Sequence, residues 1–211
     1  MKQVCESVAR VGVARVLHRA GRQRGFSLTE TTIMLATMTV LTATAAPSIM
    51  DYVSQARTIK ASGDVQVLTT TLARLLFDVS HLKSAATGQT PKLLVGPGDT
   101  VEPAVAGSAE WAAALDGTNV QLMDEHLVTN EAGYPRREGV GFSKGWGGPY
   151  LEAVPIDPWG HRYAANIGVF GTGDPVIVLS AGANGKVETP FRLNVFKPGG
   201  DDIIGLLGSQ R

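Results

Sequence analysis

From Phe26 to Met50 the chain runs for 25 residues with a single charged side chain, Glu30. As a helix rising ~1.5 Å per residue, this stretch reaches roughly 37 Å, enough to cross a bilayer core of ~30 Å. It is rich in Thr and Ala, so it is less apolar than an ordinary anchor. That suits a helix which must leave lipid and pack against protein. A carboxylate at the start of a membrane-length segment is costly unless a positive group meets it. In a helix Glu30 lies one turn beyond Phe26, on the same face. Cleavage after Gly25 would create the positive partner, the new amino group of Phe26.

Residues 1–25 carry Lys2, Arg10, Arg15, Arg19, Arg22 and Arg24 against Glu6, a net of +5, in a chain whose formal charge is zero. The remainder therefore carries −5. A basic leader before an apolar stretch orients the segment with the leader in the cytoplasm. Such a targeting leader is set aside from fold reasoning. The mildly acidic remainder gives no footprint for nucleic acid. The one cysteine, Cys5, falls inside the leader. A chain cut after Gly25 has no disulfide, no cysteine metal site and no thiol nucleophile.

The segment Gly25-Phe26-Ser27-Leu28-Thr29-Glu30, with basic residues just before it, resembles the processing site of type IV pilins and type II secretion pseudopilins. In that superfamily a membrane peptidase cuts after the glycine and methylates the new amino terminus, and the glutamate helps to add subunits to a filament. The resemblance assigns processing to Gly25 and Phe26 and assembly to Glu30. Pro47 lies inside the helical pattern, where it removes a backbone hydrogen bond and crowds the carbonyl of Ala43, so a kink or loosened turn is expected. Family members have a proline at the same distance from the cleavage site, which sets Pro47 beside Glu30 as an assembly residue. A competing reading takes Ala43-Thr44-Ala45 before Ala46 as an A-x-A signal peptidase site that releases a soluble exported binding protein. The charge at Glu30 and the length of the apolar region argue against it.

Beyond the apolar stretch, Val65, Leu68, Leu72, Leu75, Val79 and Leu82 alternate three- and four-residue steps, the pattern of one buried helix face. Arg74, Asp78 and Lys83 lie off that stripe. The helix is expected to end near Gly88, with Pro91 just beyond, and to receive a small sheet. Residues 88–145 are punctuated by Gly, Pro and Ser, with short helices expected at Glu110–Leu115 and near Gln121–Val128.

Gly145-Trp146-Gly147-Gly148-Pro149-Tyr150-Leu151 and Pro155-Ile156-Asp157-Pro158-Trp159-Gly160 force turns with glycine and proline, while their aromatic rings supply packing area. With the start of the chain, these two segments resemble the major pseudopilins of type II secretion. In that family they pack the variable loop and lead into the sheet. Strands then fit His161–Ile167, Pro175–Leu179 and Lys186 to about Arg192, with Asn184-Gly185 as a hairpin turn.

No catalytic constellation holds. His81, His126 and His161 have no metal-ligand spacing, and Ser180 lacks the first glycine of a nucleophile elbow. Gly171-Thr172-Gly173 is too short for a phosphate loop. Asp201 and Asp202 after two glycines offer hard oxygen ligands on a tight backbone. The bland alternative is a solvated acidic turn. Major pseudopilins bind calcium between the loop after the sheet and the C-terminal loop, and the resemblance implies Ser180, Asn184, Asp201 and Asp202 for that role here. Asn184 stands where the family has an aspartate.

The expected fold is α+β and pilin-like, a long N-terminal helix packed on a small antiparallel sheet. Its parts are a removed leader (1–25), a transmembrane and polymerisation helix (26–50), an amphipathic half-helix (51–87), a variable loop region (88–145) and a small sheet region with a C-terminal loop (146–211). The expected function is that of a structural subunit, not an enzyme, in a periplasmic pseudopilus of type II secretion, anchored in the inner membrane by a single pass. By resemblance its partners are copies of itself, minor pseudopilins, an inner-membrane assembly platform and a prepilin peptidase. The alternative is a type IV pilin or minor pilin. A Gram-negative pilin commonly closes its C-terminal region with a disulfide, which this chain cannot make once its leader is removed.

Overall fold

The computed structural model describes residues 25–83, 88–103, 109–116, 119–138, 144–192 and 197–207, apart from the side chains of residues 45–48. The expected leader, save for Gly25, lies outside the described residues, as does the side chain of Pro47. The chain divides into two units, Met1–Pro47 and Ser48–Arg211.

Helix α1 spans Leu28–Val79. Its first backbone bond runs from the amide of Thr31 to the carbonyl of Ser27 at 3.0 Å. Within the second unit the expected stripe is the buried face: Val65, Leu68, Leu72 and Leu75 are buried and Val79 is partly so. The helix stops earlier than the expected Gly88. Ser80 takes a left-handed conformation (φ 64°) and its amide closes on the carbonyl of Leu76 at 2.9 Å. The carbonyls of Phe77 and Asp78 are then satisfied from outside the helix, by the Lys144 ammonium at 2.7 Å and the Gly145 amide at 2.8 Å. Helix ends need such external donors. Leu82 stays buried without being helical. Asp78 departs from its expected place off the buried face: it is 5% exposed.

Residues 88–145 hold more structure than their punctuation suggests. Strand β1 (Leu93–Val95) is wholly buried, β2 is Glu102–Pro103, α2 is Ala109–Leu115, β3 is Val120–Leu122 and α3 is Met123–Leu127. Both expected short helices are present, the second shortened because β3 takes its first residues. The Trp111 ring of α2 anchors this region: it is fully buried, its Nε1–H donates to the carbonyl of Thr189 at 2.9 Å, and it meets Phe191 edge-on at 4.9 Å.

The C-terminal third supplies β4 (Ala164–Ala165), a 3₁₀ turn (Ile167–Val169), β5 (Val176–Ser180), β6 (Lys186–Val187) and β7 (Ile203–Leu207). The main sheet runs β3-β1-β4-β5-β7. Its β1–β4, β4–β5 and β5–β7 ladders are antiparallel, but β1 and β3 are parallel, so the sheet is mixed. The strand expected over His161–Ile167 is cut to two residues because the Asn166 side chain takes the Ile177 amide and donates to the Phe191 carbonyl, after which the chain turns. Asn184-Gly185 does form a turn, with Gly185 at φ 69°, yet it joins no hairpin. Strand β6 pairs parallel with β2, and β5 takes β7 instead. The third strand stops at Val187, since the Asp202 carboxylate accepts the amides of Glu188 and Thr189 and Pro190 has none to give. What reads as a closing loop thus contains an edge strand. Gly205 lets that strand approach α1: a Cβ there would stand 2.3 Å from Thr69 Oγ1 and 2.7 Å from Val65 Cγ1.

Candidate functional site

Three places merit consideration: the exposed beginning of α1, the loop cluster around the acidic residues, and the contacts that hold the two aromatic segments.

In the first unit the apolar side chains of α1 are unburied. Phe26, Leu28, Ile33, Leu35, Met38, Val40 and Leu41 are all exposed, and the membrane-length window of the helix has 0% of its residues buried. Such a surface is far larger than water-soluble domains tolerate and marks a membrane or protein contact. The threonines that make the stretch less apolar are satisfied internally. Thr31, Thr32, Thr37, Thr39, Thr42 and Thr44 each donate their hydroxyl to a carbonyl three or four residues earlier, for example Thr42 to Met38 at 2.8 Å. A hydroxyl bonded back to its own helix needs no water, so these residues cost little in lipid or in a helix bundle. Glu30 is exposed and has no ion-pair partner among the described residues. Gly25 is equally exposed, a Cβ on it would meet nothing within 4 Å, and its backbone is not left-handed. Nothing in the fold requires glycine there.

The acidic loop brings some of its expected members together and holds others apart. Asp201 Oδ2 accepts the amides of Ala183 (2.7 Å) and Asn184 (3.1 Å), so Asn184 and Asp201 are neighbours. Asp202 Oδ2 instead accepts the amides of Glu188 (2.9 Å) and Thr189 (2.6 Å). The Ser180 hydroxyl turns away, donating to Asp157 Oδ2 at 2.8 Å. Asn184 Oδ1 accepts the amide of Lys186 at 2.6 Å. Among the described residues no three acidic, histidine or cysteine side chains converge as a metal site. One feature does fit a hard cation: Asp202 Oδ1 is buried without a hydrogen-bond partner. Burial raises the Asp202 pKa above the usual carboxylate value, against the lowering effect of its amide donors. A cation completed by backbone carbonyls would satisfy that oxygen.

The aromatic segments are held by side chains that their own composition does not advertise. Trp146 is buried, its Nε1–H donates to the carbonyl of His126 at 2.8 Å, and its backbone amide donates to Pro135 at 2.8 Å. Tyr150 stacks edge-on against Trp146 at 5.8 Å, and the Gly148–Pro149 bond between them is cis. The Tyr150 hydroxyl accepts the Gly147 amide (2.9 Å) and donates to Asp78 Oδ2 (2.8 Å), while Asp78 Oδ1 is paired with Arg137. Burial first, and Asp78 beside it, push the Tyr150 phenol up to about 12. Asp157 does the same work for the second segment. Its Oδ1 accepts the amides of Trp159 (3.0 Å) and His161 (2.7 Å), folding Pro158-Trp159-Gly160 into a turn, and Oδ2 ties that turn to Ser180 at the end of β5. The sequence signal for Asp157 was its place before Pro158, since aspartate commonly bonds its own backbone two residues on. Asp78 carries no comparable local signal.

His126 is fully buried between two side chains: Nδ1 lies 2.7 Å from the Tyr134 hydroxyl and Nε2 lies 2.8 Å from Gln121 Oε1. Gln121 Oε1 can only accept, so the neutral imidazole carries its proton on Nε2 and its Nδ1 accepts from the Tyr134 hydroxyl, which in turn accepts the amide of Lys83. Burial lowers the His126 pKa to about 4. This is a structural histidine that stays neutral.

Residues 128–191 match the family model described as "Type II secretion system (T2SS), protein G". Over 166 residues the chain is 26% identical to the "Type II secretion system core protein G" of Pseudomonas aeruginosa, covering 78% of this chain and 87% of that one. Over 80 residues it is 34% identical to the "Fimbrial protein Q" of Moraxella bovis, covering 38% of this chain and 45% of that protein, less than half its length. No solved structure matches the chain.

Proposed function

We propose that the chain is a pilin-like member of the protein G family of type II secretion and the filament-forming subunit of a periplasmic pseudopilus, a reading supported by the family match over residues 128–191 and by the similarity to a type II secretion core protein G. One observation carries the reading. The apolar start of α1, with Glu30 as its only charge through Met50, is exposed among the described residues and asks for lipid first and for other helices afterwards.

In this reading the leader stays cytoplasmic, the helix is inserted in the inner membrane and the second unit faces the periplasm. A prepilin peptidase cuts after Gly25 and methylates Phe26. The exposure of Gly25 and the lack of any steric demand for glycine there support recognition, rather than folding, as the reason for that residue. Copies then associate through their apolar helices. Glu30 neutralises the amino end of a neighbouring Phe26, which fixes axial register because an unpaired charge in a low-dielectric bundle is costly. Minor pseudopilins and an inner-membrane assembly platform complete the machine. The role is structural.

Calcium is the proposed ligand of the acidic loop, held by Asp202, Asp201 and Asn184 with backbone carbonyls, and it would supply charge neutralisation to the unpartnered Asp202 Oδ1. Ser180 would contribute its carbonyl, since its hydroxyl is committed to Asp157.

The match to a fimbrial protein keeps a type IV pilin as the second reading. The first experiment is the intact mass and N-terminal sequence of the protein recovered from its own membranes. A chain beginning at Phe26, with or without one methyl group, supports a filament subunit. One beginning at Ala46 in the soluble fraction removes anchor and filament together and leaves a soluble exported binding protein.

A further inference from the structure

Within the second unit, the helix face just past the membrane-length segment is also unpartnered. Ile49, Met50, Val53 and Arg57 border a groove of about 510 Å³ closed on its far side by Trp159 and Ala183. All four helix residues are exposed. The opposite face of the same turns carries Asp51, Tyr52 and Ile59, equally exposed. At ~100° per residue the two faces stand roughly 180° apart around the helix.

Two charges on these faces have nothing to bind. Neither Asp51 nor Arg57 makes a hydrogen bond or ion pair among the described residues, whereas Lys60 further along is paired with Asp64 at 2.6 Å. Six residues separate Asp51 from Arg57, an axial distance of roughly 9 Å, and they project from different faces, so they do not meet within one chain. They are complementary between chains.

We propose that the groove face of one copy receives the Asp51 face of a second copy, with Asp51 of the second paired to Arg57 of the first and Tyr52 covering apolar groove surface. The contact rests on the filament reading given above and goes beyond it, because it lies outside the membrane-length helix and names a stagger. It is heterologous: each copy offers a different face to each neighbour. Such a contact leaves one free face at either end and repeats without limit, closing only if its rotation returns on itself. With every helix parallel, as a shared leader orientation demands, each copy is displaced along the axis by about 9 Å, six residues of helix rise. An in-register pairing of the same two faces would leave Asp51 of one copy about 9 Å along the axis from Arg57 of the next, with both charges unpaired.

The test uses the full chain in its own membranes, with Cys5→Ser so that the only thiols are introduced ones. Asp51→Cys and Arg57→Cys are combined in one chain and treated with a bis-maleimide of roughly 8 Å reach, since a salt-bridged pair holds its backbones further apart than a disulfide does. A ladder of dimers, trimers and longer species is expected, and no ladder from either single substitution. In parallel, Arg57→Asp lowers the pelleted polymer about tenfold and the added Asp51→Arg restores it to within about threefold. Polymer that pellets from the double-cysteine chain without a ladder overturns this contact alone. If that chain does not polymerise, the charge swap decides: restored polymer upholds the contact and unrestored polymer overturns it. A parent chain that pellets no polymer overturns the filament reading and the contact with it.

Discussion

Asp78 in the last turn of α1 accepts a hydrogen bond at 2.8 Å from the hydroxyl of Tyr150, across 72 residues of sequence. The same carboxylate pairs with Arg137 and sits 5% exposed, while its backbone carbonyl accepts the amide of Gly145. One residue therefore ends the helix, fixes the Gly145–Tyr150 segment and gathers the preceding loop. A buried carboxylate that loses its partners keeps its desolvation penalty, so such a junction is costly to break from either side.

Tyr150→Phe and Arg137→Ala each strand part of that carboxylate, and each is expected to lower stability by about 1–3 kcal/mol. Asp78→Ala loses both side-chain partners at once and should cost about 3–5 kcal/mol. Urea denaturation of the detergent-solubilised chain measures all three. Equal and small effects would mean that Asp78 is not the junction described.

His126 makes stability depend on pH in a predictable direction. Its folded pKa, about 4, lies below the unfolded value near 6.5, so the unfolded chain takes up a proton first. The contribution is fully present above pH 6.5, declines as pH falls below it and is lost by about pH 4. Between pH 6.5 and 5 the decline amounts to roughly 2 kcal/mol at ~1.4 kcal/mol per pH unit. Urea midpoints across that window should fall in the parent chain and stay nearly level in His126→Gln. A parallel decline in both would assign the effect to other groups.

Gly205 is the point where β7 crosses closest to α1. Gly205→Ala places a Cβ against Thr69 Oγ1 and Val65 Cγ1 and should cost about 1–3 kcal/mol by overpacking. Thr69→Ala in the same chain should recover part of the loss, giving a favourable coupling in a double-mutant cycle. Purely additive losses would place the strain elsewhere.

Glu30→Ala should leave processing at Gly25 largely intact and abolish filament formation, because Glu30 is exposed and its side chain has no hydrogen-bond or ion-pair partner among the described residues. N-terminal sequencing and sedimentation separate the two steps. Normal filaments from the variant would sink the role proposed for Glu30.

Calcium should raise the melting temperature of the chain, since a ligand bound only by the folded state stabilises it by mass action. Asp202→Asn keeps the size of the side chain and should remove most of that rise. A melting temperature indifferent to both calcium and chelator would leave Asp202 Oδ1 as a plain buried acceptor.

Local pattern was enough for the bare apolar helix, the buried stripe from Val65 to Leu75, the turn at Asn184-Gly185 and the strand over Val176–Leu179. Each of those is governed by neighbours within a few positions: hydrophobic spacing, a lone charge, a turn-forming pair. The partners of those elements were decided only by the tertiary structure. Asn184-Gly185 turns the chain, but Lys186–Val187 pairs with Glu102–Pro103 and the last five strand residues, Ile203–Leu207, take the place beside β5. The end of α1 at Val79, the burial of Asp78 and the orientation of Ser180 towards Asp157 likewise depend on hydrogen-bond partners 23 to 72 residues away. A sequence records which groups need a partner; which of several suitable groups arrives is set by packing, where a single Cβ missing at Gly205 admits one strand and no other spacing.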